Sequence, residues 1–300
     1  MSYIIKSIYV VFIFLSCSES SDPITPSPEE PNVEVIDTVE ATLTNYSITD
    51  SGDDIDIASN EVIYSSDYDG DKIRKFDSGN QVETIIDGHT NLGSVAYDES
   101  NDIIYATNYD SGFIIRVDGT RIDTIAVNLQ GPSGLAFDSD GNLFVTENQS
   151  FTISKMTPNS DSTEYQKSIY VSKGLLDWPT AIKFDSENNL YATNMFKSEI
   201  IKITPGIQME LLATLPGRVN YINYNLGYLD LDNKYLYVAH HVDGYIYRVH
   251  KVSGEFEIIG GEKMNFVNPT GVAYSTETGR IYVTFQNGVS TNISYLKITE

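Results

Sequence analysis

One short motif recurs six times along the chain, and no other feature restricts its folding as much. It reads EVIYSSD at Tyr64, DIIYATN at Tyr105, NLFVTEN at Phe144, NLYATN at Tyr191, YLYVAH at Tyr237 and RIYVTF at Tyr282. The anchors stand 41, 39, 47, 46 and 45 residues apart. Each copy alternates apolar and polar residues with period two and is flanked by turn residues, the pattern of strands and not of helices. A β unit repeating every ~40–50 residues cannot bury its own faces alone, and that period is the one of propeller blades.

The rest of each repeat agrees. A third strand follows each anchor, reading IRKFD, IIRVD, ISKMT, IIKIT, IYRVH and YLKIT, with a basic residue at one position: Lys75, Arg116, Lys155, Lys202, Arg248 and Lys297. Six such heads far from a common axis cannot converge, so their stems are expected to pack between blades while the heads reach acids or water. Fourth strands are expected at residues 82–87, 122–127, 165–171, 209–214 and 256–261; the sixth copy lacks one, and VEVIDT at 33–38 resembles VETIID closely enough to supply it. The expected fold is all-β: a six-bladed propeller of four-stranded antiparallel blades spanning 33–300, closed by an N-terminal strand that completes the last blade and leaves no open edge.

The N-terminus reads differently. Residues 1–16 combine Lys6 with an apolar run at 8–15 too short to span a bilayer, the pattern of a signal peptide. Cys17 follows and is the chain's one cysteine, so no intramolecular disulfide can form. Either the thiol is incidental near a cleavage site, or Phe14-Leu15-Ser16-Cys17 is a lipobox with Cys17 as the lipidated residue. Residues 17–32, rich in Ser, Pro and acid, read as a tether. The acidic segment after Cys17 resembles the export signals of Bacteroidetes-type surface lipoproteins, which implies a lipid anchor in the outer membrane, facing outward, as the domain's contact with membrane. A formal net charge of −23 opposes nucleic-acid binding by long-range repulsion.

GPSGLAFDSDGNLFVTENQSFTISKMT at 131–157, WPTAIKFDSENNLYATN at 178–194 and NPTGVAY at 268–274 resemble NHL-type repeats, and at superfamily level the chain is similar to regucalcin- and gluconolactonase-type six-bladed propellers. Such enzymes, as the resemblance implies, hold a divalent cation on loops entering the first strands. The matching positions here are Asp54, Gly93, Ser133, Thr180, Gly227 and Thr270, of which Asp54 alone is an anionic ligand, so that metal set is not reproduced.

A second ring lies at the ends of the second strands: Asp67, Asn108, Glu147, Asn194, His240 and Phe285. Its polar members either bind a cation or a hydroxyl-rich ligand, or bond adjacent backbone and channel water. Asp67, Glu147 and His240 are the candidate metal ligands, with calcium the candidate ion; Asp67-Tyr68-Asp69-Gly70-Asp71 is similar to part of a calcium loop. His240 would need a serine or cysteine nearby to act as a base, and no Gly-x-Ser-x-Gly elbow occurs. Trp178, Tyr109 and Tyr221 add aromatic surface near the same face, suited to sugar stacking or to packing between blades. The expected function is a monomeric binding module for a small polar, sugar-like ligand or a partner protein, with a metal-dependent lactonase-type hydrolase or an interaction scaffold as alternatives.

Overall fold

The computed structural model describes residues 39–48, 52–68, 71–77, 81–217, 225–261, 264, 266–287 and 290–298. The signal segment, Cys17, the tether and residues 33–38 lie outside these, as does Tyr221. The first described strand, β1 (Val39–Ile48), finds its partner at the far end of the chain. Blade I follows as β2 (Gly52–Ile57), β3 (Ile63–Asp67), β4 (Lys72–Phe76) and β5 (Val82–Asp87). Blade II comprises β6 (Leu92–Asp98), β7 (Ile103–Asn108), β8 (Phe113–Asp118) and β9 (Arg121–Ala126). Blade III comprises β10 (Pro132–Phe137), β11 (Leu143–Glu147), β12 (Thr152–Pro158) and β13 (Tyr165–Ser172). Blade IV comprises β14 (Pro179–Phe184), β15 (Leu190–Asn194), β16 (Glu199–Ile203) and β17 (Met209–Thr214). Blade V comprises β18 (Leu226–Leu231), β19 (Tyr235–His240), β20 (Tyr245–His250) and β21 (Phe256–Gly260). Blade VI has three late strands, β22 (Val272–Tyr274), β23 (Arg280–Asn287) and β24 (Ser290–Ile298), and takes β1 as its fourth, in the order β1-β24-β23-β22.

The all-β six-bladed propeller is therefore as expected, with one shift. The closing strand is 39–48, antiparallel to β24 from Val39↔Ile298 to Ile48↔Thr291. The expected segment at 33–38 lies outside the described residues, and among these it is the strand following it that completes blade VI.

Six buried apolar clusters lie one between each pair of adjacent blades among the described residues. The aromatic anchors fill them: Tyr191 is 1 % exposed between blades IV and V, and Phe144 packs between III and IV. Burying one such ring stabilises by roughly 1.5–3 kcal/mol. Hairpin turns between first and second strands are set by Asp side chains: the Asp138 carboxylate accepts from the N–H groups of Asp140 and Asn142, and Asp185 accepts from Glu187 and Asn189.

The basic column is structural. Lys155 lies over the Phe144 ring, Lys202 over Tyr191, and Arg248 over Tyr235 with Glu257 as ion partner. Its sixth member is corrected: Tyr282 pairs with Tyr295, and Lys297 pairs with Arg280 two residues on. In blade VI the cation over the ring comes from the second strand, where Arg280 stacks on Tyr295.

Each of the first five inner strands carries a register shift at the same point, for instance between Gly52 and Ile55 or Pro132 and Leu135. The bulge frees a backbone N–H from the ladder. A hydroxyl on the same blade's second strand accepts it: Ser66 from Asp54, Thr107 from Ser94, Thr146 from Gly134 and Thr193 from Ala181, with Thr284 serving Gly271 in blade VI. That hydroxyl then donates to the next blade's inner strand, at Gly93, Ser133, Thr180, Gly227 and Asp53 in turn. Blade V has Ala239 at this position, and there Tyr228 N–H donates directly to Thr270 carbonyl at 2.7 Å. A continuous hydrogen-bonded collar thus surrounds the axis, and Thr284 to Asp53 closes it.

Candidate functional site

The ring at the second-strand ends is buried and engaged with its surroundings. Asp67 pairs with Arg74 at 2.7 Å. Asn108 donates to Thr90 carbonyl and accepts from Ser111 N–H. Glu147 accepts from the Ser154 hydroxyl at 2.6 Å, Gln130 N–H at 2.9 Å and Lys167 at 3.0 Å. Asn194 accepts from Asp177 N–H and donates to Leu175 carbonyl. Asn108, Glu147 and Asn194 thereby tie the strap between blades to the strand end that follows it. Asp67, Glu147 and His240 stand in alternate blades I, III and V. Among the described residues no group of three or more His, Cys, Asp or Glu side chains is placed to hold a metal ion, so these three do not fit a calcium site.

His240 has a partner that the sequence did not reveal. Its Nε2 lies 3.3 Å from Ser198 Oγ, and Nδ1 faces Asp243 Oδ2 at 3.8 Å. With the proton on Nδ1, Nε2 accepts from Ser198, an arrangement in the order used by serine nucleophiles. Burial lowers the imidazole to a pKa of about 4, so it is neutral at pH 7. Yet Ser198 and His240 are fully buried, and Gly217 lies so close that a Cβ there would stand 2.7 Å from Nε2. No acyl group fits beside the hydroxyl. The trio fastens the turns of blades IV and V.

Asp54 is 6 % exposed and lies inside β2, not in a loop entering it. Register corrects its column. Ile55 pairs with Ser65 as Val95 pairs with Ala106, so Asp54 corresponds to Ser94, and Asp53 is the residue level with Gly93, Ser133, Thr180, Gly227 and Thr270. Two residues further along, the same register aligns Asp56, Ala96, Ala136, Lys183, Asp230 and Ala273 as one ring of the inner strands.

That ring encloses charge. Lys183 crosses the channel from blade IV to reach Asp56 of the opposite blade at 3.3 Å and Asp230 of blade V at 3.3 Å. Asp56 also accepts Tyr97 N–H of blade II, and Asp230 accepts Tyr274 N–H of blade VI, each at 2.8 Å. One level away, Asp54 accepts from Ser94 Oγ at 2.6 Å and from the Ile55 and Val95 amides. Burial raises Asp54 well above the ordinary carboxylate range, only partly offset by Ser94. Burial also raises Asp230 against the pull of Lys183. Burial works to lower Lys183, but Asp230, Asp56 and Asp54 raise it overall and hold it protonated. The small side chains opposite leave a cavity of ≈ 220 Å³, lined by Asp54, Asp56, Ser94, Lys183 and Tyr228 with Ala96, Gly134 and Ala136.

The aromatics split between two groups. Tyr109 meets Tyr68 edge-on at 6.3 Å and donates to Asn148 Oδ1 at 3.2 Å. Trp178 lies between Phe151 at 6.1 Å and Phe196 at 5.4 Å, both edge-on. Phe151 (φ 56°) and Trp178 (φ 51°) are both left-handed. In bulky residues that conformation is strained, by about 1–3 kcal/mol each.

No protein-family model matches the chain, and no curated protein sequence matches it. Solved structures do. A catalytically inactive virginiamycin B lyase from Staphylococcus aureus with quinupristin aligns over 87% of this chain and 100% of its own (14% identity, TM-score 0.63). A gluconolactonase from Xanthomonas campestris covers 84% of this chain and 88% of its own (14%, 0.64). An auxiliary nutrient binding protein from Bacteroides thetaiotaomicron covers 82% and 69% (11%, 0.65). At these identities the likeness is one of fold. The resemblance to gluconolactonase-type propellers therefore holds as a shared fold, one that these neighbours' binding proteins and enzymes have in common.

Proposed function

We propose that the protein is a binding module that takes a small polar solute into its central channel. The observation that carries this reading is the ≈ 220 Å³ cavity, where carboxylates, an ammonium and three hydroxyl-bearing side chains converge from four blades. Pockets for drug-sized ligands measure roughly 300–1,000 Å³, so the occupant is smaller than that. Lys183 spends its ammonium on Asp56 and Asp230 with 33 % of its side-chain surface still open, and an ammonium carries three donors. A ligand acceptor can use the third. Asp54, whose carboxyl burial shifts toward the neutral form, adds hydrogen-bonding oxygens to the cavity wall. The chemistry suits orientation of a hydroxylated or amide-bearing solute, not turnover, because no reactive group in the cavity is activated.

The test is calorimetric. A panel of monosaccharides, amino acids and polyols is titrated into the protein and into Ala136→Leu, which fills the cavity without changing charge. We expect saturable binding of at least one solute and its loss in the variant. Binding unaffected by Ala136→Leu, or no binding across the panel, would sink the channel reading.

A further inference from the structure

At two positions of the repeat several blades carry a left-handed residue, and most meet it with one that tolerates the conformation. The position before each inner strand holds Asn91, Gly131 and Asn268, all with positive φ, and blade IV alone among these places Trp178 there. The position closing the turn between second and third strands holds Asp71, Gly112, Ser198 and Gly244, and blade III places Phe151 there. Asn and Gly adopt this conformation readily, Trp and Phe do not. The two departures are neighbours in space, their rings edge-on at 6.1 Å, with Phe196 against the other side of Trp178.

Packing does not account for Trp178. Phe151 rests one face on the buried cluster between blades III and IV, but among the described residues that cluster and the adjoining one leave out Trp178 and Phe196. Both rings are half-buried. Beside them Lys197 pairs with Asp177 at 2.8 Å, and both side chains remain open, at 43% and 34%. Strain held at a surface ring that joins no core is the signature of a ring kept for contact with something else.

We propose that this rim of blades III and IV is a stacking site for a neutral sugar ring, with Trp178 as the stacking surface, Phe196 edge-on beside it and the Asp177–Lys197 pair hydrogen-bonding its hydroxyls. The occupant follows from the surroundings. An apolar peptide would cover the ion pair without replacing its hydrogen bonds, which is unfavourable. A cation would meet Lys197, and a polyanion the net charge of −23. A sugar offers an apolar face to the rings and hydroxyls to both charges.

The proposal deepens the binding-module reading but uses a different place, so each can fail alone. Trp178 is the chain's one tryptophan, and its emission reports the site directly. Neutral oligosaccharides of glucose, mannose and xylose are titrated into the full chain, with choline and a hydrophobic peptide as comparison arms. Expected is a saturable emission change with at least one saccharide, retained in Ala136→Leu and weakened about tenfold or more in Phe196→Ala. Trp178→Asn, followed by calorimetry, should lose saccharide binding while melting no lower than the parent, because Asn is the residue used at 91 and 268. A silent saccharide panel, a response to choline or peptide alone, or a Trp178→Asn protein that melts lower and still binds would overturn it.

Discussion

Burial shifts both Asp54 and His240 toward their uncharged forms, yet they tilt stability against pH in opposite senses. Burial lifts Asp54 above its unfolded value, so the folded chain holds the extra proton. Its contribution is complete below about pH 4 and is lost as pH rises through the folded value. His240 is lowered to about 4 from an unfolded value of about 6.5. The unfolded chain binds more protons in that window, and stability rises from pH 4 to 6.5 by up to about 3 kcal/mol. Denaturant unfolding between pH 4 and 8 should separate them. Asp54→Asn removes the fall and is more stable than the parent at pH 7, while His240→Gln removes the rise. A parent-like pH profile in both variants would contradict these assignments.

Among elements, the inner strands depend on the hydroxyl collar. Each of these hydroxyls takes a bulge N–H and donates across a blade boundary, so replacing one by an isosteric methyl orphans two buried groups. Thr146→Val should cost about 1–3 kcal/mol, measured by urea unfolding, and Thr284→Val at the closing junction a similar amount. Ser66→Thr keeps the hydroxyl and should be nearly neutral. One residue beyond the collar, Asn108, Glu147 and Asn194 bond the straps that lead into their own blades.

For the whole molecule, closure is the decisive step. β1 lies against β24 over most of its length and supplies the fourth strand of blade VI. Without it β24 becomes an open edge. A chain lacking residues 39–48 is expected to unfold at lower temperature and to associate through that edge; light scattering and thermal unfolding equal to those of the full chain would contradict this. The interfaces between blades carry the apolar core, so loss at one edge is felt around the ring.

The blade count, the strand order and the aromatic anchors were legible in the sequence because each is local: a strand's alternation and a turn's Asp or Gly are set by neighbours a few residues away. The charged ring was partly visible, since Asp56, Lys183 and Asp230 interrupt inner strands that hold Ala in the other blades. Blade I, reading GDDIDI, lacks the Pro-x-Gly landmark that fixes the alignment of the inner strands in blades III and VI, and so Asp54 was aligned with Gly93 when Asp53 is its match. Lys297 was misplaced for a related reason, because a basic residue two positions along satisfies the same alternation. The contacts of Lys183 with Asp56, of Ser198 with His240 and of Phe151 with Trp178 join different blades, the first across more than a hundred residues. Local chemistry determined that this chain would form six blades. Which side chains meet at the axis and at the rim was decided only when the ring closed, because closure alone brings blade I across from blade IV.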